Sequence, residues 1–280
     1  MSPLARLRRR GYGRTAIALV FVAIYMFPVY WMVVTSIKTP PAIFASPPQI
    51  FPSHPTLEAY RTAVIHNGTV LRSVRNSTII AVGTTLLTLL LATPAAYALA
   101  RLRPRGSGAV TLLLLIGQLL PAVVVAGPLF VLFSHIHLIN SFQAIILADG
   151  TITVPFAVII LRPFFLAVPK ELESAALVDG STRFGAFFRI VLPLIRPGLI
   201  TVGTLSFLLA WGEFIFALSL NLNEKVAPIT VITNKFSGQY GTQWDLMMAV
   251  ATTVAIPVVA VFVALQRFIV GGLTTGAMKE

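Results

Sequence analysis

The sequence predicts an all-α, polytopic membrane protein, a single transmembrane domain over residues 1–280. Three observations carry that expectation. Hydrophobic residues make up 56% of the chain and charged residues only 11%, whereas a soluble domain holds about 25% charged residues. Six apolar runs approach the roughly 20 residues needed to cross some 30 Å of hydrocarbon as helix. The basic residues crowd onto alternate connections between these runs, which gives successive spans a consistent direction.

The expected spans are about 15–37, 76–100, 109–133, 141–162, 197–220 and 246–268. The first follows Arg6, Arg8, Arg9, Arg10 and Arg14, as a signal peptide would. No small-residue cleavage site follows, and the run continues through Tyr30 and Trp31, so an uncleaved span is expected. Six prolines between Pro40 and Pro55 then favour extended backbone. Thr56 is placed to cap a short helix with Leu57, Tyr60 and Val64 on one face, expected to lie on the outer membrane surface. The second span leads through Arg101, Arg103 and Arg105 into the tight turn "RGSG". Gly, Pro and polar residues within the later runs are tolerated where neighbouring helices satisfy the freed backbone groups. His135 and His137, two apart with no carboxylate nearby, fit an exposed loop better than a metal site.

Charge and motifs narrow the function. Of the 21 Lys and Arg residues, 15 fall on one side of this topology, which places both termini in the cytoplasm. The net charge of +12 is therefore topological and requires no nucleic acid partner. Without cysteine there is no disulfide and no thiolate metal site. No Walker A pattern, nucleophile elbow or HExxH occurs, so no catalytic residue, metal site or cofactor is expected in this chain. Its energy source would lie in another subunit.

The connection 163–196 is unusual. Pro169 can open a helix over Lys170–Val178, and Gly180 sits where the left-handed conformation would end it. Ser181 or Thr182 can cap a second helix, in which Phe184, Phe187, Phe188, Val191 and Leu192 share one face. Such a helix–turn–helix suits either an interfacial element on anionic lipid or a docking knob for a cytoplasmic partner.

The run "ESAALVDGSTRFGAFFRIVLPLIRPG" resembles the EAA loop of ABC-transporter permease subunits. Ala175, Ala176, Asp179, Gly180, Phe188, Ile190, Leu192, Pro193 and Pro197 match its pattern, while its glutamate falls on Ser174, with Glu173 one position earlier. "SIKTPPAIFASPP", "LEAY", the pair Asn76–Ser77, "AYALAR", "WGEF" and "QRFIVGGLTTGAMK" are similar to the MalG-like branch of carbohydrate permeases. The resemblance implies the ABC importer permease fold: six transmembrane helices and a cytoplasmic coupling helix–turn–helix. It implies that Glu173, Ser174, Ala175, Ala176, Asp179, Gly180, Phe184, Phe187 and Phe188 couple to an ATPase. The implied partners are a second homologous permease, an ATP-binding cassette ATPase dimer that binds ATP and Mg, and an extracytoplasmic solute-binding protein or lipoprotein. All would work in or on a bacterial plasma membrane with its lipid.

A carboxylate inside the bilayer needs a partner or a wet cavity. Asp149 and Glu213 fall at matched depth, roughly 10–12 Å below the outer surface at about 1.5 Å per residue. Gln118 and Trp211 could join them, and a sugar site favours such a mixture of acceptors, amides and an indole face. These four are the expected substrate-pathway residues. The alternative is that the carboxylates bond to neighbouring helices. An ABC importer permease for sugar-like solutes is the leading expectation. A standalone secondary transporter or a non-transport scaffold are the alternatives, although the spans show no obvious inverted repeat.

Overall fold

A computed structural model describes residues 3–277 except 103, 224, 239 and 240, with side chains described between 15 and 266. The side chains of Arg6, Arg8, Arg9, Arg10, Arg14, Arg103, Arg267 and Lys279, and most of the C-terminal motif, lie outside that description. In chain order the helices are α1 (Pro3–Ser36), α2 (Gly68–Tyr97), α3 (Ser107–Gly117), α4 (Ala122–His135), α5 (Phe142–Ala167) and α6 (Lys170–Val178). They continue as α7 (Arg183–Ala186), α8 (Arg196–Trp211), α9 (Ile215–Leu220), α10 (Ile229–Asn234) and α11 (Trp244–Ala277). Among the described residues four stretches are long and apolar enough to cross a membrane: Thr15–Ser36, Gly68–Leu102, Phe142–Ala167 and Trp244–Gln266. Counting each of two bent helix pairs as one span brings the number to six.

Two runs expected as single spans are broken. Over 109–133 the chain forms α3 and α4, which meet at 99°. Helix α3 ends at Gly117; Pro121 has no N–H and disfavours helical backbone at Leu120, so the chain turns through Gln118–Leu120 and restarts with Pro121 as the N-cap of α4. Over 197–220 helix α8 stops at Trp211 and α9 begins at Ile215. Helix α5 also runs to Ala167, five residues beyond the expected end, with Pro163 inside it.

The chain divides into two compact units, residues 1–71 with 233–255 and residues 72–232 with 256–280. In the first, side chains from the end of α1 strap down the proline-rich connection. Tyr30 donates to the Ile50 carbonyl at 2.8 Å, and the Ser36 and Tyr60 hydroxyls lie 2.7 Å apart. Lys38 is buried; it donates to the Gln49 carbonyl at 2.6 Å and sits 4.4 Å from the Trp31 ring centroid. The helix expected after Thr56 covers Glu58–Tyr60 and widens into a π-helical turn over Arg61–Ile65. That widening changes which residues share a face. Ala59, Ala63 and Val64 are buried, and Leu57 is exposed instead of joining the apolar face.

The second unit packs through small residues. Ala92, Ala96 and Ala100 on α2 and its π-helical extension meet Ala157, Leu161 and Phe165 on α5, with Val202 of α8 in the same core. Small side chains let helices approach closely, which is how spans associate where lipid offers no hydrophobic drive between them. The tightest contact is at Gly198 in the first turn of α8. A Cβ there would lie 2.6–2.9 Å from three ring atoms of Phe164. Gly198→Leu should therefore cost about 1–3 kcal/mol of packing strain. We expect a lower thermal midpoint in detergent, partly recovered when Phe164→Ala is added; an unchanged midpoint would contradict this packing.

Candidate functional site

The segment between α5 and α8 is built by local rules. Pro169 precedes α6, and at the other end the amide of Gly180 bonds to the Leu177 carbonyl and that of Ser181 to the Ala176 carbonyl, at 3.1 and 2.8 Å. This pair of bonds is the Schellman motif, which requires a left-handed residue, and Gly180 has φ +87°. Thr182 then caps α7, its hydroxyl accepting from the Gly185 amide at 3.0 Å. Beyond Ala186 the helix widens into a π-helical turn over Phe187–Val191 and continues through Leu192–Leu194. Ile195 bends it by 74° into α8, just before Pro197.

Three groups tie this segment to the bundle. Arg101, at the end of the α2 extension, makes an ion pair with Glu173 of α6 at 2.8 Å. Tyr97 donates to the other carboxylate oxygen of Glu173 at 2.9 Å, and Arg101 also donates to the Val168 carbonyl. Phe187 packs against Tyr97 and Phe165, with ring centroids 4.8 and 6.4 Å away. The phenylalanine face expected to be a single knob is thus divided. Phe187 points into the bundle, while Phe184 and Phe188 are 74% and 47% exposed, their ring centroids 4.6 Å apart and the rings tilted at 52°. Widening at Phe187 rotates neighbouring side chains apart, which helical spacing alone does not reveal. Ala175, Ser174 and Asp179 are exposed and Ala176 is buried. Ser174 donates only to its own helix, to the Lys170 carbonyl at 3.2 Å.

The intramembrane polar residues form two structures. Asp149 is buried on α5 and accepts from Thr84 of α2 at 3.3 Å; one turn along, the Thr153 and Thr88 hydroxyls lie 2.7 Å apart. Glu213 sits in the break between α8 and α9. One of its carboxylate oxygens accepts from the Phe216 amide at 2.6 Å and the other from the Ala217 amide at 3.0 Å. Its backbone carbonyl accepts from Thr230 at 2.7 Å. Asp149 and Glu213 share a cavity of about 90 Å³, room for water rather than a sugar ring. Gln118 and Trp211 do not line it. Gln118 donates to the Ile152 carbonyl at 2.9 Å, and Trp211 is buried against Phe207, ring centroids 5.7 Å apart. Glu213 thus caps α9, because the broken span needs an acceptor for the first amides of that helix.

A family model described as "Binding-protein-dependent transport system inner membrane component" matches residues 90–274. The chain belongs to this family. The permease is 36% identical over 254 residues to the sulfoquinovosyl glycerol transport system permease protein SmoH of Agrobacterium fabrum, covering 91% of this chain and 89% of that one. It is 35% identical over 280 residues to the diacetylchitobiose uptake system permease protein DasC of Streptomyces coelicolor, with 98% and 100% covered. It shares its fold with a chain in the crystal structure of a bacterial ABC transporter involved in the import of the acidic polysaccharide alginate. There the TM-score is 0.79 at 20% identity, over 95% of this chain and 98% of that one. The permease is an all-α, multi-pass transport component; ATP hydrolysis belongs to a separate subunit of such systems.

Several residues that position the site escape a reading of the sequence because their partners lie far along the chain. Tyr97 and Arg101 stand inside the "AYALAR" run, but their link to Glu173 spans more than 70 positions. Thr84 and Thr88 repeat at the same four-residue interval as Asp149 and Thr153, a signal that pairwise spacing carries. Asn76 donates to the Lys225 and Ala227 carbonyls at 3.1 Å each, and Ser77 accepts from the Ile229 amide at 2.9 Å, so this pair clamps the connection before α10.

Capping makes a specific prediction for this permease. Glu213→Leu leaves two amides without acceptors, about 1–3 kcal/mol each, and should sharply lower the yield of assembled complex. Glu213→Gln keeps one acceptor oxygen and should lose less. Transport normalised to intact complex should stay near the parent value in both. A fall in normalised transport with assembly intact would place Glu213 in the substrate pathway.

Proposed function

We propose that this permease is the membrane-spanning subunit of an ATP-driven importer for a sugar or sugar-like solute, with α6–α7 as the joint on which an ATPase pushes. The observation that carries this reading is the division of the phenylalanines over α7 and the π-helical turn that follows it. Phe184 and Phe188 present exposed surface to a partner groove, while Phe187 and the Arg101–Glu173 pair fasten the same segment to α2 and α5. A displacement applied to the bare face therefore reaches two spans directly. Closing of the ATPase dimer on ATP would draw the joint inward and open the bundle toward a docked binding protein, a population shift between two packed arrangements.

The partners in this reading are a second homologous permease, an ATP-binding cassette ATPase dimer holding ATP and Mg, and an extracytoplasmic solute-binding protein or lipoprotein. The excess of basic residues on one side supports cytoplasmic termini in a bacterial plasma membrane. A carbohydrate-like cargo is supported by the relatives, whose names specify a sulfoquinovosyl glycerol and diacetylchitobiose. Ser174 is exposed with a hydroxyl where the EAA pattern has its glutamate, and Glu173 beside it is turned inward to Arg101.

Two measurements test this. The tagged chain, purified from its own membrane, should bring down an ATPase and a solute-binding protein; transport by the chain alone in proteoliposomes without ATP would defeat the reading. Phe184→Ser with Phe188→Ser should weaken ATPase binding at least about a hundredfold, from the burial of two aromatic side chains at 1.5–3 kcal/mol each, while leaving the thermal midpoint of the isolated chain unchanged. Phe187→Ser should do the reverse, lowering that midpoint first. If Phe187 proves the stronger determinant of ATPase binding, the phenylalanines are not divided as described.

A further inference from the structure

Beside the coupling segment, with the Arg101–Glu173 pair in its wall, lies a cavity of about 340 Å³. Its charged lining is Arg101, Lys170 and Arg183 with a single carboxylate, Glu173. The charge of Arg101 is matched by Glu173 at 2.8 Å. Among the described residues no acidic side chain lies within ion-pair distance of Lys170 or Arg183. The cavity thus presents two uncompensated cations, one from each helix of the joint, and both residues are exposed. Its place in the fold restricts what those cations can meet. Tyr97 and Arg101 stand at the end of the apolar stretch Gly68–Leu102, so the cavity lies at one end of a span, where aromatic and basic side chains meet lipid headgroups. Leu102 and Leu177 line it as well and are 56% and 42% exposed, which sets apolar surface directly beside the cations.

We propose that this cavity binds the phosphodiester headgroup of an anionic phospholipid, held by Lys170 and Arg183, with Leu102 and Leu177 against the start of the acyl chains. A free phosphate would satisfy the two cations but leave the leucines bare. An acidic side chain of a docked protein would have to reach back to membrane level. Basic pockets at the ends of spans recognise anionic headgroups through this pairing of charge and depth. A lipid seated here bridges α6 and α7, so the composition of the bilayer sets how stiffly the joint is held.

Native mass spectrometry of the full chain in detergent, titrated with phosphatidylglycerol and with phosphatidylcholine of the same acyl chains, tests the site. One phosphatidylglycerol should bind tightly per chain and phosphatidylcholine should not. Lys170→Gln with Arg183→Gln should weaken phosphatidylglycerol binding roughly thirtyfold, about fivefold for each cation near a membrane surface. Both residues are exposed and the Arg101–Glu173 pair is left intact, so folding should be unaffected. Arg75→Gln, which removes a cation near the opposite end of α2, should change nothing. Unchanged phosphatidylglycerol affinity in the double variant would overturn the site. Inorganic phosphate competing as tightly as the lipid would overturn the lipid assignment in favour of a free anion. Loss of a co-purifying ATPase with phosphatidylglycerol binding intact would overturn it in favour of a protein contact.

Discussion

A helix that ends inside a membrane leaves its first amides and last carbonyls with no water to bond, and much of this chain is arranged around supplying those partners from within. The break between α8 and α9 is closed by the carboxylate of Glu213 and anchored through its carbonyl to Thr230. The break between α3 and α4 is accompanied by Gln118, which reaches across to a carbonyl of α5. The connection beyond α9 is held by Asn76 and Ser77, and by Asn140, whose side-chain oxygen accepts from the amides of Leu222 and Asn223. Polar residues that stand out in an apolar sequence are, for the most part, the repairs of its broken helices.

That constraint explains what the sequence made legible and what it did not. The fold class followed from composition, run length and the placement of basic residues, which bilayer thickness and charge bias determine directly. The turn at Gly180 was equally plain, because a Schellman ending has its own residue chemistry and its partners lie within a few positions. Glu213 was legible as an anomaly but not as a cap, since its amide partners become orphans only once Gly212 and Phe214 leave the helix. Asp149 showed the same limit. A buried carboxylate announces that it needs a donor, but Thr84 is 65 positions away and no local pattern names it.

The coupling segment combines both kinds of information. Its caps and turn are local, and the resemblance to EAA loops rests on them. Its attachment to the bundle is long-range: Arg101 and Tyr97 converge on Glu173, and Phe187 completes an aromatic group with Tyr97 and Phe165. The acid one position before Ser174 is thereby an internal brace. The π-helical turn at Phe187 decides which phenylalanine joins that brace and which remain outside, so a single extra residue in one turn separates the segment's two surfaces.

The separation has a consequence for how such chains diverge. The ring contacts of Phe184 and Phe188 are with each other and with Phe187 of the same short segment, so drift at these positions is answerable to whatever occupies the far side of the contact and can follow a changing partner from lineage to lineage. Phe187, within one turn of both, is locked to Tyr97 and Phe165 and can change only in step with two distant helices. Adjacent letters of one short helix therefore keep separate histories, one recorded in the companion subunit and the other in the interior of this one.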